Sequence, residues 1–190
     1  MLFGIGDPTT SIGNVFWWEG WGIFPSIQLS LPFGKTEENP YLQAQESQAH
    51  QHIQMGTGSV IPALNISFFY DNIHWGILSS INKSLPFYAN TYEYKPGSST
   101  DWSIGYWQKF NPTFTLMGQL RGMHTAPERW MDLPYSGSDS IALNLSTFLR
   151  ISPEYEIGLQ LEKNLWIQNR LHAEEEPLNP ILTWNLSFTH

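Results

Sequence analysis

Tyr155-Glu156-Ile157-Gly158-Leu159-Gln160-Leu161-Glu162-Lys163-Asn164-Leu165 alternates apolar and polar side chains through most of its length. Tyr155, Ile157, Leu159 and Leu161 fall on one side of the period, and Glu156, Gly158, Gln160, Glu162 and Asn164 on the other. Successive side chains of an extended chain point to opposite faces, so the stretch reads as a strand with one apolar and one polar face. Two further segments repeat the pattern. Ile141, Leu143, Leu145 and Leu149 stand against Ala142, Asn144, Ser146 and Arg150; Leu182, Trp184, Leu186 and Phe188 stand against Thr183, Asn185, Ser187 and Thr189.

Carried along the chain, the same test predicts about nine strands. They cover 8–18, 22–33, 58–71, 74–85, 100–110, 114–125, 139–151, 155–167 and 180–190. Most reach the roughly 9–11 residues that a tilted strand needs to cross a bilayer, longer than the usual strand of a soluble domain. The turns around Glu19-Gly20-Trp21, Asp71-Asn72-Ile73, Asn111-Pro112-Thr113 and Ser152-Pro153-Glu154 are short. The connections 34–57, 86–99, 126–138 and 168–179 are long and rich in Gly, Pro, Gln, Glu and Ser. Short turns on one side and long loops on the other are the pattern of outer-membrane barrels. The expected fold is all-β: an antiparallel up-and-down transmembrane β-barrel filling residues 1–190 as one domain.

Composition agrees. Hydrophobic residues make up 41% and charged residues only 14%, while no apolar run approaches the ~20 residues of a spanning helix. The absence of cysteine excludes a disulfide framework and thiolate metal sites and fits passage through the periplasm. A net charge of −8 argues against a nucleic-acid partner. Aromatics gather at the predicted strand ends. Trp17, Trp18, Trp21, Phe69, Tyr70, Trp75, Phe110, Phe114 and Tyr155 lie by the short turns; Phe87, Tyr88, Tyr92, Trp102, Trp130, Tyr135 and Trp166 lie at the other end. Two such girdles suit amphipathic rings at the two interfaces of a membrane. The final Trp184-Asn185-Leu186-Ser187-Phe188-Thr189-His190 is similar to the aromatic-ended last strand of outer-membrane proteins, with Phe188 two residues short of the end.

Three short motifs carry a family resemblance: Gly4-Ile5-Gly6-Asp7, Leu31-Pro32-Phe33-Gly34-Lys35 and Gln54-Met55-Gly56-Thr57-Gly58-Ser59. In this order they resemble the strand openings and strand ends of the outer-membrane family known as the MetA pathway of phenol degradation. The resemblance implies a bacterial outer-membrane barrel that passes small hydrophobic or aromatic compounds, with outer-membrane lipid and lipopolysaccharide as its surroundings. It supplies no site residues. Two other functions remain open: a structural or adhesive barrel acting through its loops, and a soluble lipocalin-like binding barrel, echoed by Gly20-Trp21-Gly22.

The residues opposite the apolar positions are the candidate lining of a lumen: Lys109, Gln119, Arg121, Asn144, Arg150, Glu156, Gln160 and Glu162, with Gln28, Asn65 and Asn185. Pairing Arg150 with Glu156 across the 151–155 turn sets Asn144 against Glu162 and brings Arg121 within reach. Such a group serves either as a selective constriction or as a paired plug in a narrow barrel. No enzyme, cofactor or metal is expected. His74, His124 and His190 are not followed two residues on by Ser, so no local nucleophile-base pair is written into a strand. His50-Gln51-His52 reads as a solvated loop before it reads as a metal site, and Glu174-Glu175-Glu176 as a solvated charge run before a divalent-ion bridge to lipopolysaccharide. An odd strand count leads to one more expectation, that an upstream strand is missing and the seam between 8–18 and 180–190 is open or strained.

Overall fold

The computed structural model describes residues 6–34, 56–135, 137–152, 155–169 and 181–188, with Asn169 and the last of these segments described by backbone alone. The loops containing His50, His52 and Glu174-Glu175-Glu176 lie outside the described residues, as does His190. The elements are β1 (Thr9–Gly13), β2 (Phe16–Trp18), β3 (Trp21–Ser30), β4 (Ile61–Asp71), β5 (Trp75–Ser84), β6 (Tyr94–Lys95), β7 (Ser99–Asn111), β8 (Phe114–Thr125), β9 (Arg129–Trp130), β10 (Leu133–Pro134), β11 (Ser138–Arg150), β12 (Tyr155–Asn169) and β13 (Ile181–Phe188). All long strands join one antiparallel sheet in the order β1-β3-β4-β5-β7-β8-β11-β12-β13, with β2 also on β3. Sequence neighbours pair throughout, the up-and-down meander expected from the alternating turns. Among the described residues β1 and β13 do not pair with each other, so the sheet stays open at that seam.

Two expectations need correction. The single strand over 8–18 is interrupted. β1 and β2 keep one register against β3, with Gly13 opposite Ser26 and Phe16 opposite Ile23. The gap falls where Pro25, which has no N–H to donate, faces Asn14; the reverse bond, Asn14 N to Pro25 O, persists at 3.2 Å. The loops 86–99 and 126–138 are also not wholly irregular. They contribute β6, β9 and β10, a separate three-stranded sheet at the long-loop end. Trp130 belongs to it: at 2% exposure it packs on Tyr94, with ring centroids 4.6 Å apart, and takes no part in an outer girdle.

Register assigns each side chain to a face. One face carries Ile23, Ile27, Leu64, Ile66, Phe68, Ile77, Ile81, Trp102, Ile104, Leu116, Leu145, Ile157, Leu159 and Leu161, most of them exposed. Leu143 shares that face, partly covered. Leu182, Trp184 and Leu186 stand in register with Leu161, Leu159 and Ile157, and their side chains lie outside the described residues. The opposite face holds the buried polar residues Ser26, Ser103, Asn144 and Ser146. Among the described residues the buried hydrophobics are only Ala63 and Trp130. A water-soluble domain of this length buries its leucines; this sheet buries serines and displays leucines.

The apolar face has marked ends. By the short turns, Trp21, Tyr70, Trp75 and Tyr106 form a chain of rings with centroid separations of 4.7, 4.9 and 6.3 Å. Trp18 and Trp21 pair across the turn Glu19-Gly20, whose φ values of 45° and 84° suit a tight two-residue hairpin. At the far strand ends the same face closes with a polar row, Lys83, Thr100, His124, Asp139 and Gln168 in successive register. Lys83 Nζ donates to Thr100 Oγ1 at 2.8 Å, and His124 Nδ1 lies 2.6 Å from Asp139 Oδ1. From Phe114 to His124 along β8, about 3.3 Å per residue at a tilt near 40° gives a rise of roughly 25 Å, the height of a barrel's apolar band.

At the long-loop end the three motifs of the sequence meet on one carboxylate. Asp7 Oδ1 accepts from Gly34 N at 2.8 Å, and Oδ2 accepts from Thr57 N at 2.7 Å and Thr57 Oγ1 at 2.8 Å. Gly56 packs so closely that a Cβ there would stand 2.5 Å from Asp7 Oδ1 and 2.6 Å from the Gly34 backbone.

Candidate functional site

The face opposite the apolar one is concave and polar over most of the sheet, with an aromatic patch toward the short turns. Across β7, β8, β11 and β12 it is polar. Arg121 Nη1 on β8 lies 3.6 Å from Glu162 Oε2 on β12. Asn144 Nδ2, on β11 between them, donates to the same Glu162 oxygen at 3.4 Å, and Ser146 Oγ donates to Asn144 Oδ1 at 2.9 Å. Arg121, Glu162, Gln119, Asp101 and Ser103 line a cavity of about 630 Å³. Hydroxyl pairs extend the polar surface: Ser80 with Ser103 at 2.8 Å, and Ser84 with Ser99 at 2.9 Å.

The remaining candidates lie on this face but apart from that group. Gln160 pairs in register with Ser146. Arg150 Nη2 stands 3.9 Å from Glu156 Oε2 at the short-turn end. Lys109 is held at that end too. Its Nζ reaches Asp71 Oδ1 at 2.7 Å and Asn72 O at 3.2 Å, and Trp107 Nε1 donates to the same Asp71 oxygen at 3.3 Å. Asp71 and Asp101 were not among the sequence candidates. Both share the period of Asn65 and Ser103 on their strands, so parity alone could have found them.

Toward the short turns of β2 to β5, and on β7 near its turn, the same face carries an aromatic patch. Trp17, Phe24, Phe69, Leu78 and Trp107 all fall on it by register. Trp17 and Phe69, expected in the outer girdle, face inward instead, with ring centroids 4.8 Å apart. Glycines make room for these rings. A Cβ on Gly22 would stand 2.2 Å from the Phe69 ring, one on Gly76 2.1 Å from the Trp107 ring, and one on Gly13 2.7 Å from the Phe24 ring. Glycine on one strand leaves a flat floor on which the neighbour's ring lies. That coupling between an inward Gly and an inward aromatic on the next strand is the signal that alternation alone overlooks.

Among the described residues, no group of three or more His, Asp or Glu is placed to hold a metal ion. The geometry offers instead a polar, hydrogen-bonded surface with an aromatic patch by the short turns.

An antiparallel meander with an apolar outer band, an aromatic border and a polar concave face defines a β-barrel of the outer-membrane class. A solved structure shares the fold: the crystal structure of an outer membrane channel from Pseudomonas putida F1 matches with a TM-score of 0.69 at 10% identity, over 97% of this chain and 65% of that one. The chain thus spans 65% of the length of the channel it matches. No family profile and no curated protein matches it.

Proposed function

We propose that this chain lies in the bacterial outer membrane and passes small hydrophobic or aromatic compounds passively along its concave face. The observation that carries this reading is the mixed inner surface: Trp17, Phe24, Phe69, Leu78 and Trp107 supply stacking and apolar contact, while the Arg121–Glu162–Asn144 group supplies a polar counter-wall. Aromatic solutes gain from ring faces and edges, and paired charges keep a wetted path beside them. The outward apolar band supports a lipid surrounding, and the sequence resemblance to a phenol-degradation outer-membrane family supports the solute class. A lipocalin-like carrier needs the reverse distribution, apolar inside and polar outside.

Uptake tests the proposal. The chain is placed in vesicles with lipopolysaccharide in the outer leaflet, and entry of an aromatic probe is compared with that of a sugar of similar size. Faster entry of the aromatic solute, reduced by Phe69→Ser, is expected. Insertion without uptake of either solute would leave the barrel working through its loops and overturn the transport reading.

A further inference from the structure

The small sheet β6-β9-β10 has two unlike faces. Register places Tyr94 with Trp130 on one and Lys95, Arg129 and Pro134 on the other. The first face is the anchored one, holding the buried Trp130 and the Tyr94 ring packed on it, whose hydroxyl donates to Glu128 Oε2 at 2.8 Å. The second lines a notch of about 400 Å³ whose walls include Pro86, Pro96, Pro127 and Pro134. Its floor is tight, because a Cβ on Gly97 would meet Ala126 O at 1.9 Å.

Lys95 and Arg129 are directly opposite each other, and like charges in that position repel. Neither forms an ion pair with a carboxylate among the described residues; Glu128, next to Arg129, is engaged by Tyr94. A proline-walled notch holding two cations that face no carboxylate among the described residues suits an anion, and a guanidinium beside an ammonium suits the several acceptor oxygens of a phosphate. Its place says which phosphate. Ala126 N bonds Ser98 O at 2.9 Å, two residues along each strand beyond the Thr100–His124 pair that ends the apolar outer face. The notch therefore begins where the apolar band stops.

We propose that the Lys95–Arg129 notch binds a phosphate group carried by the lipid of the surrounding outer leaflet. This rests on the outer-membrane reading above. The full chain, folded in detergent, is titrated with phosphorylated lipid A, with the same lipid dephosphorylated, and with inorganic phosphate. The phosphorylated lipid is expected to bind roughly tenfold more tightly than the dephosphorylated one. Lys95→Gln with Arg129→Gln should erase that difference, whereas Lys95→Arg with Arg129→Lys, which keeps both charges, should preserve it. Heat-dependent gel mobility checks that each variant folds. Equal binding of the two lipids, or a preference untouched by the double glutamine variant, overturns the site. Inorganic phosphate binding as tightly as the phosphorylated lipid, and lost in the glutamine variant, overturns the lipid source and leaves a site for soluble phosphate. If the chain is monodisperse in plain buffer, the membrane reading fails by itself, and the inorganic-phosphate titration still decides the notch.

Discussion

Arg121 and Glu162 stand on strands separated by a third, yet Arg121 Nη1 reaches to within 3.6 Å of Glu162 Oε2 across β11. The crossing is possible because Ala142, in register with Arg121, is short, and Asn144 beside it donates to the same Glu162 oxygen. The two side chains are 54% and 27% exposed, so the pair works in a wet environment and contributes no more than about 1 kcal/mol. Glu162→Gln is therefore expected to leave the unfolding midpoint nearly unchanged and to shift the reversal potential of bilayer currents toward anions, since Arg121 loses its counter-charge. A large loss of stability with unaltered ion preference would mark the pair as a structural plug.

The outward leucines allow a sharper test. Leu159 is 53% exposed at the middle of the apolar face, and Gln160 beside it points the other way. Leu159→Arg should cost about 2–4 kcal/mol in a bilayer, while Gln160→Arg should cost well under half of that. Urea unfolding in liposomes measures both. Equal costs for the two variants would mean that the faces are not lipid and lumen.

Much of this architecture was legible in the chain. The period of two over Tyr155 to Leu161 assigned faces correctly, and the short turns fixed the pairing partners, so Arg150 met Glu156 and Asn144 met Glu162 as spacing requires. What alternation could not supply was the meaning of an aromatic residue at a strand end. Trp17 and Trp18 are adjacent, and only register shows that Trp17 turns inward over Gly22 while Trp18 turns outward. Nor could it reveal β6, β9 and β10, because a two-residue strand has no period. Lys109 has the right parity, but depth along the strand, which parity ignores, ties it to Asp71 and away from Arg121.

The glycine floors yield a third expectation. Gly22 is covered by Phe69 and Trp17, where a Cβ would stand 2.2 and 2.7 Å from their rings. Gly22→Val must push both rings off the strand, and overpacking of this kind costs about 1–3 kcal/mol. Because the displaced rings belong to the proposed aromatic wall, aromatic uptake should fall more than sugar entry does. Tryptophan fluorescence should also shift, reporting Trp17 in a new environment. Unchanged fluorescence would show that the rings do not rest on this glycine.

Asp7 provides the last test, because one carboxylate joins two distant backbone segments to its own. Gly34 N and Thr57 N donate to its two oxygens at 2.8 and 2.7 Å, and Asn90 Nδ2 reaches Thr57 O at 2.9 Å. Both amides flank the connection between β3 and β4, so the carboxylate ties the two ends of that loop to the residues leading into β1. Asp7→Asn preserves the shape but turns one acceptor into a donor, setting an N–H against Gly34 or Thr57. Leaving a partly buried donor unmatched costs about 1–3 kcal/mol, which corresponds to roughly five- to 150-fold in local opening. Hydrogen exchange at the Gly34 and Thr57 amides should speed up by that factor, while exchange in the middle of β8 and β11 stays as it was. Acceleration spread evenly over the sheet would mean that Asp7 supports the whole fold, and no acceleration at either amide would mean that the clasp carries no strain-bearing role.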